Sequence, residues 1–186
     1  KSLTASRKAV CGAFEESILT TLRKLGMADA IFKVDIVPTP QFTALGEDSV
    51  AYLFTANRTS KPAPIERVAS GGELSRVMLA LKGIMARSKR LPSIIFDEID
   101  TGVSGQIADA MGEIIAEMSQ SMQVIDITHL PQVASKSGDH FVVYKSEGVT
   151  NIRKLSKAER IDEIAKMLSG STITDAARKQ AKILLG

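Results

Sequence analysis

The chain has 186 residues, 44% of them hydrophobic and 4% aromatic, with 24 Lys and Arg against 21 Asp and Glu for a formal charge of +3. That is enough apolar material for one sizeable core, so a single domain or lobe is expected, and a pI near 9.0 with no long basic run is weak evidence for nucleic acid. The lone Cys11 excludes an internal disulfide framework, no stretch is long and apolar enough to span a membrane, and no signal peptide opens the sequence, so a cytoplasmic location is expected.

Leu3, Val10, Phe14, Ile18, Leu22 and Leu25 follow a helical period, and Gly26 suits a helix stop. On the residues alone this is an ordinary amphipathic helix. Phe32, Val34 and Ile36 alternate with Lys33 and Asp35 as in a half-buried strand, and Val50 to Thr55 predicts a second strand. Pro38, Pro40, Gly46, Pro62 and Pro64 are expected to punctuate the loops around them.

The stretch from Ala69 to Gly105 carries the chemistry. Ser70-Gly71-Gly72-Glu73 has the spacing of a capping box, in which the Ser70 hydroxyl accepts from the Glu73 amide and the Glu73 carboxylate reaches back to the Ser70 amide. Leu74, Val77, Met78, Leu81, Ile84 and Met85 then predict one apolar helix face. A lone S-x-x-E is ordinarily only a cap. Two glycines in a first turn call for another reason, since each costs a helix interior about 1 kcal/mol against alanine, and close approach of an anion to bare amides at the positive helix end supplies one.

Pro92 opens Ser93-Ile94-Ile95-Phe96-Asp97-Glu98, too short for a helix and read as a buried strand that ends in two carboxylates. Acids at the carboxyl end of a parallel strand stand where open α/β sheets place ligands, and Mg²⁺ prefers carboxylate oxygen, so one acid suits a metal and the next a water. Ile107, Met111, Ile114, Ile115 and Met118 predict a crossover helix to a second apolar strand, Val124 to His129. By itself His129 reads as an ordinary strand-end histidine. A right-handed strand–helix–strand unit would end both strands on one edge and bring it beside Asp97 and Glu98.

Downstream, Pro131 starts a short helix, and His140 to Lys145 and Val149 to Leu155 form a hairpin about Glu147-Gly148, with His140 read as structural. Ser156 and Glu159 repeat the capping-box spacing before a helix carrying Ile161, Ile164, Ala165 and Leu168, which Gly170 stops; a last helix is expected from about Thr174 to Leu185.

With these motifs in order, the chain resembles the C-terminal half of the ATP-binding-cassette ATPases. Ser70 to Glu73 is similar to their signature motif, Ile94 to Glu98 to the Walker B strand, Ile99 to Gly105 to the D-loop, and His129 to the switch histidine. VASGGELSR, FDEIDTGVSG and ITHLPQVAS resemble most the versions found in the RecN family, the SMC-like ATPases of bacterial DNA double-strand break repair. A transporter cassette would follow its signature with Gln-Arg and close its D-loop with Asp, whereas Leu74-Ser75-Arg76 and Ser104 stand there. The resemblance implies an α/β fold: the C-terminal lobe of an ABC-type P-loop NTPase head over residues 27–186, partly parallel in its sheet with flanking helices. Residues 1–26 would be the foot of a coiled coil.

It further implies ATP and Mg²⁺ as cofactors, with Asp97 on the metal, Glu98 orienting or deprotonating the attacking water and His129 sensing the γ-phosphate. Ser70, Gly71, Gly72 and Glu73 would serve the nucleotide of a second head, and Asp100, Thr101, Gly102 and Ser104 would form the D-loop. The implied partners are an N-terminal lobe carrying Walker A, a second copy of the head and DNA, with no membrane, in the cytoplasm at the nucleoid. No Gly-Lys pair occurs in the sequence, so it has no Walker A loop of its own. This, with the absence of an initiating Met, makes a fragment of a longer ATPase the expectation, inactive alone. The alternatives are a non-catalytic cassette lobe that serves dimerisation or DNA contact, and a head fragment of another SMC-like ATPase. Asp126 departs from the pattern: a carboxylate inside an apolar strand is expected at a strand edge or hydrogen-bonded.

Overall fold

A computed structural model describes residues 2–44, 46–67, 70–170 and 172–186. Val68 and Ala69, which open the signature-like string, lie outside the described residues. The chain divides into two compact units, residues 1–91 and 92–186, where one lobe was expected.

The first unit begins with α1 (Ser2–Lys24), followed by β1 (Ile31–Thr43) and β2 (Gly46–Thr55), an antiparallel pair to which the two-residue β3 (Ala63–Pro64) adds on the β2 side. A 3-10 turn, Ile65–Arg67, precedes α2 (Gly71–Lys89). Gly26 ends α1 as expected: its φ is 77°, and its N–H and that of Met27 bond back to the Arg23 and Leu22 carbonyls at 3.1 and 2.9 Å. The core gathers Ile18 and Leu22 of α1, Phe32 and Phe54 of the sheet, and Val77, Ala80 and Leu81 of α2. Phe14, Phe32 and Tyr52 pack ring against ring, with centroids 5.6–6.0 Å apart. The C-terminal half of α1 is thus bound into this core while Leu3 and Val10 are exposed.

Two details differ from the sequence expectation. Pro38 and Pro40 lie within β1, Gly46 in β2 and Pro64 in β3; the strand passes the prolines because the register shifts between Pro38 and Thr43. On α2 the buried face is Val77, Ala80, Leu81 and Ala86, while Leu74 and Met85 are exposed, so small residues that the apolar period overlooked carry the packing.

The second unit opens with β4 (Ser93–Asp97), which α3 (Gly105–Ser119) connects to β5 (Gln123–Ile127); the strands pair in parallel, Ser93 with Gln123 through Asp97 with Ile127. Met111, Ile115 and Met118 give α3 its buried face. At Gly112 a Cβ would meet the Gln132 carbonyl and Val133 Cα at 3.2 Å, so the glycine lets α3 close on α4 (Pro131–Ser135). The hairpin β6 (Phe141–Ser146) and β7 (Val149–Lys154) turns through positive φ at Glu147 and Gly148, as the sequence predicts. Then α5 (Lys157–Ser169) and α6 (Asp175–Leu185) pack Ile164 and Ala165 against Ala177 and Ala181. The expected buried strand is only half so: Phe96 is buried, but Ile95 (60% exposed), Ile125 and Ile127 stand on an uncovered face of a sheet that, among the described residues, has two strands.

Candidate functional site

The residues singled out fall into two constellations, one in each unit. In the first, Ser70 caps α2 from an extended backbone, φ −96° and ψ 118°, and its hydroxyl accepts the Glu73 N–H at 3.4 Å. The return bond expected from Glu73 is missing among the described residues, so the box is half closed. The first amides of any helix lack partners in their own helix, and here they come with an exposed serine and a glycine whose missing Cβ would meet nothing within 4 Å. Bare amides at the positive end of a helix suit an anion. Arg76 ties this turn to α1 by donating to the Gly72 carbonyl at 3.1 Å and to the Leu25 carbonyl at 3.2 Å.

The second constellation sits where the parallel strands end. Asp97 closes β4 opposite Ile127, and the Glu98 N–H adds one more rung by donating to the Ile127 carbonyl at 3.0 Å. Glu98 takes a left-handed backbone, φ 48°, which costs a non-glycine residue on the order of 1 kcal/mol. The turn that follows holds it there: the Glu98 carbonyl accepts the Thr101 hydroxyl at 2.8 Å and the Thr101 N–H at 3.2 Å. Both acids are exposed, and His129, two residues past the end of β5, is exposed at the same end of the sheet. The structure thus brings Asp97, Glu98 and His129 to one strand edge.

The loop to α3 turns through Gly102 at φ 79°. Thr101, Gly102 and Ser104 are exposed, and Ser104, at the N-cap of α3, makes no capping bond with its side chain. Asp100 behaves differently: it is 1% exposed, and its Oδ2 accepts the hydroxyl of Thr128. Thr128 accepts in turn from the Leu130 N–H at 2.9 Å. Sequence reasoning passed over Thr128; the available signal was a hydroxyl two residues after Asp126, on the same face of an otherwise apolar strand.

Asp126 lies opposite Phe96 on a strand whose other edge is open, as expected, but hydrogen bonding does not complete it: its Oδ1 is buried without a partner. Burial, and then the charge of Asp100, push its carboxyl up to about 6. His140 is half-buried and its imidazole is pushed down from the usual range by burial and by Arg160, in keeping with a structural role.

For a metal, no group of three or more His, Cys, Asp or Glu gathers among the described residues. The exposed carboxylates of Asp97 and Glu98 offer oxygen donors of the kind that Mg²⁺ takes one or two of.

No family model matches the chain. Over 188 residues, 99% of its length, it is 45% identical to the DNA repair protein RecN of Rickettsia conorii. It spans 34% of that protein, about a third of its length. Among solved structures it is similar to an SMC head domain with coiled coil and joint from Pyrococcus yayanosii, TM-score 0.69 at 20% identity, covering 85% of this chain and 29% of that one. A second likeness, TM-score 0.65 at 18% identity, covers 91% of this chain and 99% of a chain from work on ATP-driven dimerisation and DNA-stimulated activation of SMC ATPases. At these identities the two structures show the fold alone, which this chain shares with SMC head domains.

Proposed function

Since this chain belongs to the RecN family of DNA repair proteins, we propose that it serves as the C-terminal lobe of an SMC-like ATPase head that hydrolyses ATP between paired heads during double-strand break repair. The observation that carries this reading is the shared strand end. Asp97 and Glu98 leave β4, and His129 follows β5, at one edge of a parallel pair, with Glu98 fixed in a left-handed turn. A second observation supports a further lobe: Ile95, Ile125 and Ile127 form an apolar sheet face that the described residues leave uncovered, which suits cover by elements of the N-terminal lobe.

Bound ATP and Mg²⁺ supply the phosphoryl group and the counter-charge for phosphoryl transfer to water. The side chains do the rest. The Asp97 carboxylate takes a position on the metal, directly or through water. Glu98, exposed at the strand end, would orient the attacking water and accept its proton. His129 contacts the γ-phosphate of its own head. In the partner head's nucleotide site, the Ser70 hydroxyl and the amides of Gly71 and Gly72 meet the γ-phosphate, and Thr101, Gly102 and Ser104 line the surface facing that partner. Glu73 holds the Ser70 turn through its amide. Head closure, passed to the coil through α1, would then act on broken DNA in the cytoplasm, at the nucleoid.

Lacking Walker A, the isolated chain should bind ATP weakly and hydrolyse it negligibly; tight binding in calorimetry would overturn the two-lobe reading. The decisive variant is Glu98→Gln in the full-length protein. ATP-dependent head pairing should persist while turnover falls by about 100-fold or more. Unchanged turnover would remove Glu98 from its role, whereas a full-length protein without ATP turnover would favour a cassette lobe kept for pairing or DNA contact only.

A further inference from the structure

We propose that Asp100 and Thr128 are positioning residues for the hydrolytic step, their hydrogen bond clamping the loop behind Glu98 to the segment that carries His129. The inference rests on the hydrolytic reading above. It starts from one hydroxyl with both its roles assigned. Thr128 Oγ1 donates to Asp100 Oδ2 and accepts from the Leu130 N–H at 2.9 Å, so it fixes the backbone on both sides of His129. At the other end of the bond, Asp100 sits inside the turn that Thr101 closes onto the Glu98 carbonyl, and its own carbonyl accepts the Val103 N–H at 3.2 Å. One bond thus joins the turn of the acid to the turn of the histidine, 28 residues apart in sequence.

Burial makes the bond hard to replace. Asp100 is 1% exposed, and among the described residues its Oδ1 finds no partner and the Thr128 hydroxyl is the donor to its Oδ2. A buried carboxylate left without donors is costly, and a loop that lost this one would open toward water, moving Glu98 relative to His129. Asp126, two residues before Thr128 on the same strand face, also has a buried oxygen without a partner and brings no donor that could substitute.

The test is steady-state ATP hydrolysis by the full-length protein. Thr128→Val keeps the side-chain volume and removes the hydroxyl; kcat should fall at least about tenfold with KM for ATP within about twofold, because misplacement of the catalytic groups acts on the transition state. Thr128→Ser restores the hydroxyl and should return kcat to within about threefold of the unsubstituted protein. Equal turnover in the valine and serine variants would overturn the clamp, as would a valine variant that melts earlier but hydrolyses normally when folded. Should the valine variant not fold, Thr128→Ala against Thr128→Ser decides by the same ratio. Glu98→Gln run alongside separates the two ideas. Turnover that survives it removes both the base and the clamp that serves it, whereas turnover lost there and kept in Thr128→Val removes the clamp alone.

Discussion

Two helices of this molecule start with the same letters, Ser-x-x-Glu, and end up with different structures. At α5 the box is complete: the Ser156 hydroxyl accepts the Glu159 N–H, and the Glu159 carboxylate accepts from the Ser156 N–H at 2.9 Å and its hydroxyl at 2.8 Å. Arg153 adds a further bond at 2.6 Å. At α2 the bond from the Glu73 amide, at 3.4 Å, has no return bond from the Glu73 carboxylate among the described residues, glycines fill the two positions between, and a Cβ at Gly71 would meet nothing within 4 Å. The α5 start spends its polar groups on itself. The α2 start keeps an open, positive helix end, which has value only if something anionic comes to it.

The largest effect that can break this comparison is a charge at position 70. Aspartate caps a helix about as well as serine and suits the helix dipole, so Ser70→Asp should leave thermal unfolding of the chain nearly unchanged. In the full-length protein the added charge would face a γ-phosphate, where like charges a few ångströms apart cost roughly 4 kcal/mol at an effective dielectric near 20. ATP-dependent head pairing should then fail. Retained pairing and turnover would make Ser70 only a cap. The same change at α5 should reverse the pattern: Ser156→Asp sets a carboxylate against Glu159 and removes a donor, so unfolding should come earlier.

A smaller effect sharpens the contrast. Ser156→Ala removes a cap whose partners are all in place and should cost about 1 kcal/mol in thermal or urea unfolding, while Ser70→Ala, removing one long bond, should cost roughly half of that or less. Equal losses would mean that the two starts do the same structural work.

How far the sequence led can be judged residue by residue. Local signals were legible where one residue type has one use: Gly26 and Gly170 end helices, Glu147-Gly148 turns a hairpin, and Ser156 with Glu159 closes a box. The strand edge with Asp97, Glu98 and His129 was legible because a short crossover forces parallel strands to end together. What was not legible depends on packing partners distant in sequence. The buried face of α2 includes Ala80, which shares a core cluster with Phe32 and Phe54 and the partly buried Phe14 and Tyr52, and alanines carry little periodic signal of their own. Pro38 and Pro40 read as loop signals, yet a register shift admits them to β1. The Asp100–Thr128 bond spans two motifs that resemblance treats as separate, so neither motif alone pointed to it.

Gly71→Ala tests the glycines themselves. A Cβ there meets nothing within 4 Å, so the methyl group should be accommodated, and the smaller conformational freedom of the unfolded chain should stabilise the unit by roughly 0.5 kcal/mol. If an anion approaches the bare amide, the same methyl group should weaken ATP-dependent pairing of full-length heads. Stabilisation without any loss of pairing would show that the glycine is there for neither purpose.

The smallest effect is a titration at α5. Bonds from the Ser156 backbone, then its hydroxyl, then Arg153 hold the Glu159 carboxyl well below its usual 4.5, at about 2. A depressed folded-state value means that the charged form is the one folding favours. Its contribution is therefore fully present above pH 4.5 and is lost as the pH falls toward 2. Amide exchange in the first turn of α5 should accelerate across that window, and Glu159→Gln should flatten the acceleration, since a neutral amide has no proton to take up. Ser156→Ala should shrink it, because two of the three bonds that hold the carboxylate involve that residue and one of them is its hydroxyl. A first turn of α5 whose exchange follows the same acid profile in Glu159→Gln would place the titrating group elsewhere and dissolve the box as the source of the difference between the two helix starts.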